Sequence, residues 1–283
     1  NKTTDPATAH LGSGDLMARI FGWRFFCCLG SHCLFKGAFF IMTEFDPNRY
    51  AVIDTKNPRE IVMLRGKGCQ WRRCRFCDYH LDFSPDQAAN DQLNARELSK
   101  VTGCYHKLEV INSGSFIDLS PATLTLIRDI CLAKAIHEVH FECHWMHREA
   151  IQPLRDWFAQ SQIAVKIKIG VETFDALFRE SYLDKGIDAE AAEIAAYFDE
   201  VCLLQGIPGQ TIASMLKDIT TGLQYFERVC INIMQANAKP VHPDPEVIAQ
   251  FTRHILPIYI DDPRVDVLME NTAFGVGGVV TNA

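Results

Sequence analysis

The chain lacks a long uninterrupted apolar run. Its most apolar stretches lie between Ile20 and Ile41, where Arg24, His32 and Lys36 interrupt them. A helix that crosses a membrane needs about 18 consecutive apolar residues. The sequence therefore predicts no membrane span.

Positive charge is also scarce. The 28 Lys and Arg residues are outnumbered by 35 Asp and Glu, which gives a formal net charge of −7. An acidic chain is not expected to bind duplex DNA or a whole tRNA through a broad basic surface. A small anionic ligand in a local basic pocket remains compatible with this composition.

A disulfide framework is not expected either. The 11 cysteines are odd in number and scattered; Cys202 and Cys230 fall in predicted core strands, and Cys143 directly follows one. Disulfide frameworks belong mostly to smaller secreted chains. We therefore expect a reducing, cytoplasmic location.

The first part of the chain differs from the rest. We interpret residues 1–41 as an N-terminal extension outside the fold and residues 42–283 as one domain, because Met42 opens a segment typical of a natural start. Cys27, Cys28 and Cys33 lie in this extension, but their spacing matches no metal site.

From residue 60 onward, short β-rich runs alternate with helical patterns. Such alternation predicts a parallel sheet with helices outside, and six units are too few for an eight-stranded barrel. An open partial (β/α)6 barrel and a doubly wound sheet both fit, and both bind ligands at the carboxyl ends of their strands. A last helix, a strand near Val265–Met269 and a closing tail follow. The predicted strands are Glu60–Arg65, Leu108–Asn112, Glu138–Glu142, Val165–Val171, Val201–Gln205 and Cys230–Met234, and the predicted helices are 87–101, 120–135, 147–160, 173–197 and 211–227.

Cys69, Cys74 and Cys77 lie in a glycine-flanked loop directly after the first predicted strand. Three thiolates so close in sequence can converge on one metal centre. On a four-iron cluster they leave one iron open, where a substrate can bind. The nearby basic residues are expected to lower the thiol pKa values and to offset the cluster's negative charge. They are Arg65, Lys67, Arg72, Arg73 and Arg75.

The same loop also allows a structural zinc site. Cys69, Cys74, Cys77 and His80 are able to form a tetrahedral Cys3His site, in a zinc protein with a nucleic-acid or protein partner. The position of the loop favours the cluster, because the first β–α junction of a large α/β domain is where such folds carry their chemistry.

The cysteine loop resembles the cluster motif of the radical S-adenosylmethionine superfamily. That motif usually has gaps of three and then two residues, whereas the first gap here has four. Phe76 corresponds to the aromatic residue that lies beside the adenine in the family. Segments after the later strands also resemble family positions that contact the methionine, ribose or adenine parts of the cofactor. With Lys168, the cofactor-binding candidates are Phe76, Asn112, Ser113, Gly114, Glu172, Gln205 and Pro208.

This resemblance implies a radical-SAM-type partial barrel that holds a [4Fe–4S] cluster and S-adenosylmethionine. It further implies that one electron from flavodoxin or ferredoxin cleaves S-adenosylmethionine to methionine and a 5′-deoxyadenosyl radical. That radical then takes a hydrogen atom from a substrate, which the barrel positions and shields from water.

Residues 110–116, 170–175 and 274–276 resemble the queuine lyases, a narrower group, over about residues 50–280. This implies release of the 7-deazaguanine base queuine from queuosine or its 5′-phosphate, by hydrogen abstraction from the ribose and cleavage of the C1′–N9 bond. A more distant resemblance to the radical subunit of archaeosine synthase implies modification of tRNA instead. The acidic composition and the lack of an appended RNA-binding module favour the nucleoside or nucleotide, for queuine salvage.

Glu142, at the end of the third predicted strand, is the main candidate for reading the base. A guanine-like base presents N1–H and an amine, which a carboxylate accepts as a pair of hydrogen bonds. An ion pair between Glu142 and Arg148 is the alternative, and both are candidates for the catalytic role. Arg148, Lys168 and His144 are also candidates for holding a phosphate or the ribose hydroxyls. The substrate-binding candidates are His144, Asp175, Glu270 and Asn271.

Overall fold

A computed structural model describes residues 48–269 of the chain, in which eight strands form one sheet. β1 pairs with β2 in antiparallel fashion, and β2 to β8 are parallel. The strands are β1 (Tyr50–Ile53), β2 (Arg59–Leu64), β3 (Lys107–Asn112), β4 (Glu138–Glu142), β5 (Ala164–Glu172), β6 (Glu200–Gln205), β7 (Arg228–Ile233) and β8 (Val265–Leu268).

The strand order in the sheet is the order along the chain. A doubly wound sheet reverses its strand order at a switch point, so that alternative is wrong. The curled sheet with helices around it confirms the predicted partial barrel. It has one more parallel strand than the six predicted units, because the strand expected near Val265 joins it as β8. The short edge strand β1 was not predicted.

Seven α-helices lie in the described part of the chain. An apolar core lies between the sheet and the helices that flank the parallel strands. Ser120 caps α2 by accepting the Thr123 N–H at 2.9 Å, and Pro121 opens that helix as predicted. Within residues 48–269, no helix is long and apolar enough to span a membrane. The helices are α1 (Gln87–Leu98), α2 (Pro121–Ala133), α3 (Ile151–Ala159), α4 (Ala191–Ala195), α5 (Ile212–Tyr225), α6 (Pro245–His254) and α7 (Leu256–Tyr259).

The predicted helix over residues 173–197 is wrong. The segment forms one π-helical turn at Phe178–Tyr182, then irregular backbone, and only then the short α4. The buried Arg179 donates hydrogen bonds to the carbonyls of Ile187 and Ala189 at 2.8 and 3.0 Å. These bonds and the positive φ of Gly186 hold the chain in a loop whose middle reaches the barrel interior.

Buried ion pairs cross the interior of the half-barrel. Glu109 on β3 accepts hydrogen bonds from Lys168 on β5 and from Arg59 on β2. Arg59 also lies 3.6 Å from Asp266 on β8, which in turn holds Arg228 on β7. Burial alone would raise the pKa of Glu109, but Lys168 and Arg59 lower it well below its usual range. Because β2 and β8 are not paired in the sheet, Arg59 links the two sides of the opening.

Replacement of Arg59 by Ala is expected to lower the free energy of unfolding by about 3 kcal/mol, because Glu109 and Asp266 each lose a buried cation, although they keep Lys168 and Arg228 as partners. Urea unfolding followed by circular dichroism measures the change. Lys166→Ala is the matched control, since its nearest partner Glu227 is exposed and its other partner Asp199, at 3.8 Å, keeps Arg155, and about 1 kcal/mol or less is expected there. Equal losses in the two variants would contradict the importance of the interior ion pairs.

Candidate active site

A cavity of about 470 Å³ opens at the carboxyl ends of the parallel strands and extends into the barrel. Many of the residues predicted for the site line it. Arg148, Asp175, Gln205 and Pro208 do not, and Glu270 and Asn271 lie outside the described residues. The predicted residues that line the cavity are Cys69, Cys74, Phe76, Cys77, Asn112, Ser113, Gly114, Glu142, His144, Lys168 and Glu172.

The cysteine loop lies directly against the end of β3. The Cys69 N–H donates to the Ser113 carbonyl at 3.0 Å. A Cβ atom added at Gly114 would lie 2.9 Å from both Cα and N of Cys69, and 2.4 Å from an Asp118 carboxylate oxygen. Backbone atoms cannot yield to such a contact, so only glycine allows this approach. Gly114 thus sets the position of the first cysteine against the strand end.

Cys74 and Cys77 pack against a small apolar cluster that includes Phe76, Leu204 and Met234. Burial raises the pKa of the Cys77 thiol to about 11 and also raises that of Cys74, while Lys185 opposes both increases. Without a metal these two thiols are therefore expected to keep their protons. Metal binding would release those protons, because the metal's positive charge stabilises the thiolates instead.

The expectation that the nearby arginines lower these thiol pKa values is wrong for Cys74 and Cys77. Arg72 donates to the carbonyls of Cys69 and Lys67, at 2.6 and 3.1 Å. Arg73 lies over the ring of Trp71 and forms an ion pair with Asp184. These side chains fix the path of the loop from its outer side, and the cation that acts on the thiols is Lys185.

Lys185 is the main site residue that the sequence interpretation missed. Its Nζ atom donates to Glu172 at 2.8 Å and lies 5.5 Å from the centre of the Phe76 ring. Glu172 ends β5 after a bulge and has a φ of +71°, a strained value for a residue with a side chain. The Asp-Lys-Gly sequence at 184–186 is a turn signal inside the predicted helix, and it was the available clue.

Glu142 lies at the end of β4, where its backbone pairs with β5, but its carboxyl group makes no hydrogen bond or ion pair with any residue in the described range. Burial raises its pKa to about 7, Glu109 adds to the increase, and Lys168 opposes it. The alternative ion pair with Arg148 is wrong, because Arg148 stacks on Trp145 at 4.4 Å and donates to that residue's carbonyl. Glu142 thus offers an unpaired carboxyl group to the cavity, and Arg148 does not line it.

His144 lines the cavity but has little to offer a phosphate. Its Nδ1 accepts the Met146 N–H at 3.3 Å, which leaves the proton on Nε2, and Nε2 donates to the Lys185 carbonyl at 2.9 Å. Burial lowers its pKa to about 4, with a further effect of Lys185. The ring is neutral and both nitrogens are occupied, so the structure argues against the predicted contact with phosphate or ribose. His144 instead fixes the loop that carries Lys185.

The remaining predicted residues are engaged by other groups or lie outside the cavity. Lys168 reaches the cavity, but its ammonium group is bound to Glu109. Asp175 accepts the Phe178 N–H at 2.9 Å and caps the π-helical turn. Gln205 is fully buried and does not line the cavity, and Pro208 is exposed in the turn after β6. Asp175, Gln205 and Pro208 therefore offer no contact to a ligand in the cavity.

Two buried amide oxygens in the cavity wall have no hydrogen-bond partner within residues 48–269. They are the side-chain oxygens of Asn112, at the end of β3, and Asn232, on β7. Buried acceptors are normally satisfied, so each indicates a place where a ligand presents an N–H or O–H group. Asn232 was missed, although a single Asn inside an apolar strand was a visible signal. Cys202 and Cys230, side by side on β6 and β7, also line the cavity.

The donor set fits a cluster held by three cysteines. Cys69, Cys74 and Cys77 line one cavity, and Lys185 is positioned to offset negative charge there. In the described part of the chain, no three His, Cys, Asp or Glu side chains are grouped around a point as ligands of a single ion. A four-iron cluster is larger than one ion and binds each thiolate at a different corner, so it accepts a wider spacing.

The chain is similar to a solved enzyme over that enzyme's whole length. This enzyme is queuine lyase from Clostridium spiroforme bound to SAM and queuine, at 38% sequence identity and a TM-score of 0.77. It covers 82% of this chain and 100% of that chain. No protein-family model and no curated protein matches the chain.

Replacement of Lys185 by Gln is expected to raise the pKa of Cys74 and Cys77 further, because the cation that opposes the effect of burial is lost. In the metal-free protein, alkylation of these two thiols by iodoacetamide at pH 8 should become several-fold slower, as measured by peptide mass spectrometry. Arg73→Gln is the control and should leave the rates unchanged. A slower reaction in the Arg73 variant alone would contradict the assignment.

Proposed function

The chain belongs to the queuine lyase family, and from this we propose that it is a radical S-adenosylmethionine enzyme that releases queuine from queuosine or its 5′-phosphate. The observation that carries the proposal is 38% identity over the full length of a queuine lyase. The three thiols that open on one cavity support it independently.

We assign Cys69, Cys74 and Cys77 as the ligands of a [4Fe–4S] cluster. When bound, the cluster and S-adenosylmethionine would supply the 5′-deoxyadenosyl radical. The unpaired side-chain oxygen of Asn112 is suited to accept a hydrogen bond from the amine of the methionine part. Asn112 directly precedes Ser113 and Gly114, which lie against the cysteine loop. The Lys185–Glu172 pair adds a fixed cation and anion on the other wall.

The cavity wall is suited to a base that donates hydrogen bonds. Glu142 at the end of β4 and Asn232 on β7 both present side-chain oxygens to the cavity, and these oxygens have no hydrogen-bond partner among residues 48–269. A 7-deazaguanine base carries the N–H donors that such acceptors bind. A volume of about 470 Å³ is typical of small-molecule sites and supports a nucleoside or nucleotide over a whole tRNA.

Anaerobic reconstitution with iron and sulfide, followed by reduction with dithionite, tests the proposal. With S-adenosylmethionine and queuosine or its 5′-phosphate, we expect 5′-deoxyadenosine and free queuine, both measured by mass spectrometry. Cys74→Ala should abolish both products, whereas Cys104→Ala should not, because Cys104 is exposed and outside the cavity.

Three results would contradict this proposal in different ways. Tight binding of one zinc ion and no iron would contradict the enzyme assignment. Formation of 5′-deoxyadenosine without release of the base would contradict the lyase assignment. Reaction on tRNA and not on the nucleoside would favour an enzyme of the archaeosine synthase type.

The pH dependence of substrate use is expected to follow the protonation of the Glu142 carboxyl group. Because burial raises its pKa to about 7, the carboxylate that accepts the base's N–H groups is lost as the pH falls below that value. The kcat/KM for the nucleoside should then fall about tenfold for each pH unit below 7. Steady-state rates of queuine release between pH 5.5 and 8.5 measure this.

Glu142→Gln should remove this pH dependence and weaken substrate use, while cleavage of S-adenosylmethionine without substrate continues. Asp175→Asn is the control, because Asp175 caps a turn outside the cavity. If Glu142→Gln lowered S-adenosylmethionine cleavage and base release equally, Glu142 would not be the group that binds the base.

A further inference from the structure

We propose that the outer surface of the cysteine loop is the docking surface for an acidic one-electron carrier protein. The inference rests on the proposed function, because a reductive reaction at the cysteines needs an electron from outside the chain. This surface, named the loop surface below, consists of Lys67, Arg72, Arg73, Arg75, Leu81 and Phe83.

The charge of the loop surface is opposite to that of the whole chain. Lys67, Arg72, Arg73 and Arg75 are all exposed, and they lie within one short loop of a chain whose net charge is −7. A concentrated positive patch on an acidic protein attracts an acidic partner to one place and repels it elsewhere. Asp184 pairs with Arg73 and reduces the charge of the patch, but Lys67, Arg72 and Arg75 have no carboxylate partner among residues 48–269.

Two of the arginines are held in fixed positions. Arg72 donates to the carbonyl of Cys69 and lies over the Phe83 ring at 4.6 Å. Arg75 donates to the carbonyl of Tyr182 at 3.3 Å and lies over that residue's ring. A partner therefore loses little side-chain entropy when it docks against them.

Two exposed apolar side chains follow the cysteines in the chain, and one of them, Phe83, lies beside Arg72. Leu81 is 65% exposed and Phe83 is 38% exposed, and the backbone of Phe83 follows the short turn after the cysteines. The Phe83 side chain packs against Gly68, next to Cys69. An apolar centre with a charged rim is the usual anatomy of a protein–protein contact. A contact of this small size suits a transient encounter, as electron transfer requires.

The position of the loop surface favours an electron carrier over RNA. The surface is the outer side of the segment that carries the cysteines, and Arg72 bonds directly to the Cys69 carbonyl. A carrier docked here is separated from the cysteines by little more than the loop itself. RNA binding relies on many phosphate contacts, and one of the four cations here already has a carboxylate partner.

The test uses the full reconstituted chain with two electron sources. In the double variant Lys67→Glu, Arg75→Glu, we expect kcat/KM for reduced flavodoxin to fall at least about tenfold, as measured by formation of 5′-deoxyadenosine. With dithionite, which needs no docking surface, the rate should stay at the wild-type value. The matched control is Lys134→Glu, Lys217→Glu, which reverses two exposed charges on or after helices away from the loop.

Ionic strength provides a second measurement that needs no variant. The flavodoxin-driven rate of the wild-type protein should fall as salt increases, and the dithionite-driven rate should not. Should the double variant lose iron, Lys67→Gln, Arg75→Gln and this salt dependence decide the question.

An unchanged flavodoxin-driven rate in either loop variant, or a salt-independent rate, would overturn the inference. So would loss of tRNA binding in the double variant with full flavodoxin-driven activity, which would assign the loop surface to RNA. A wild-type protein that cleaves no S-adenosylmethionine with dithionite would instead contradict the proposed function.

Discussion

The half-barrel depends on the neutralisation of charges inside it. Lys168, Glu109, Arg59 and Asp266 form a continuous series of ion pairs from β5 to β8, and Arg59 carries that series across the opening where the sheet has no hydrogen bonds. Buried ions are tolerated when each has a partner of opposite charge. These four ions are therefore tolerated inside the barrel because each has a partner of opposite charge.

This arrangement determines which groups remain available near the carboxyl ends. Lys168 is committed to Glu109, so Glu142 on the neighbouring strand has no cation bound to it, and burial raises its pKa. Lys185 is committed to Glu172 and lies close enough to act on Cys74 and Cys77. Lys168 thus neutralises Glu109 in the cavity wall, and Lys185 places a positive charge beside the thiols of Cys74 and Cys77.

The sequence was informative where a function depends on contiguous residues. The cysteine loop, the alternation of strands and helices, and Glu142 at a strand end were predictable, because local spacing and strand ends define them. Lys185 was not, because buried hydrogen bonds of Arg179 replace the helix that the pattern indicates. The roles of His144 and Arg148 depend on contacts with the Lys185 carbonyl and the Trp145 ring, which no local pattern reveals.

Gly114 brings the end of β3 into backbone contact with Cys69, with no side chain between them. The cysteine loop and the strand end are consequently one mechanical unit: a displacement of either moves the other. Evolution of this enzyme cannot adjust the wall beside Asn112 without also shifting the first cysteine. Changes in substrate preference are therefore easiest at single positions such as Asn232, whose side-chain oxygen has no hydrogen-bond partner among residues 48–269.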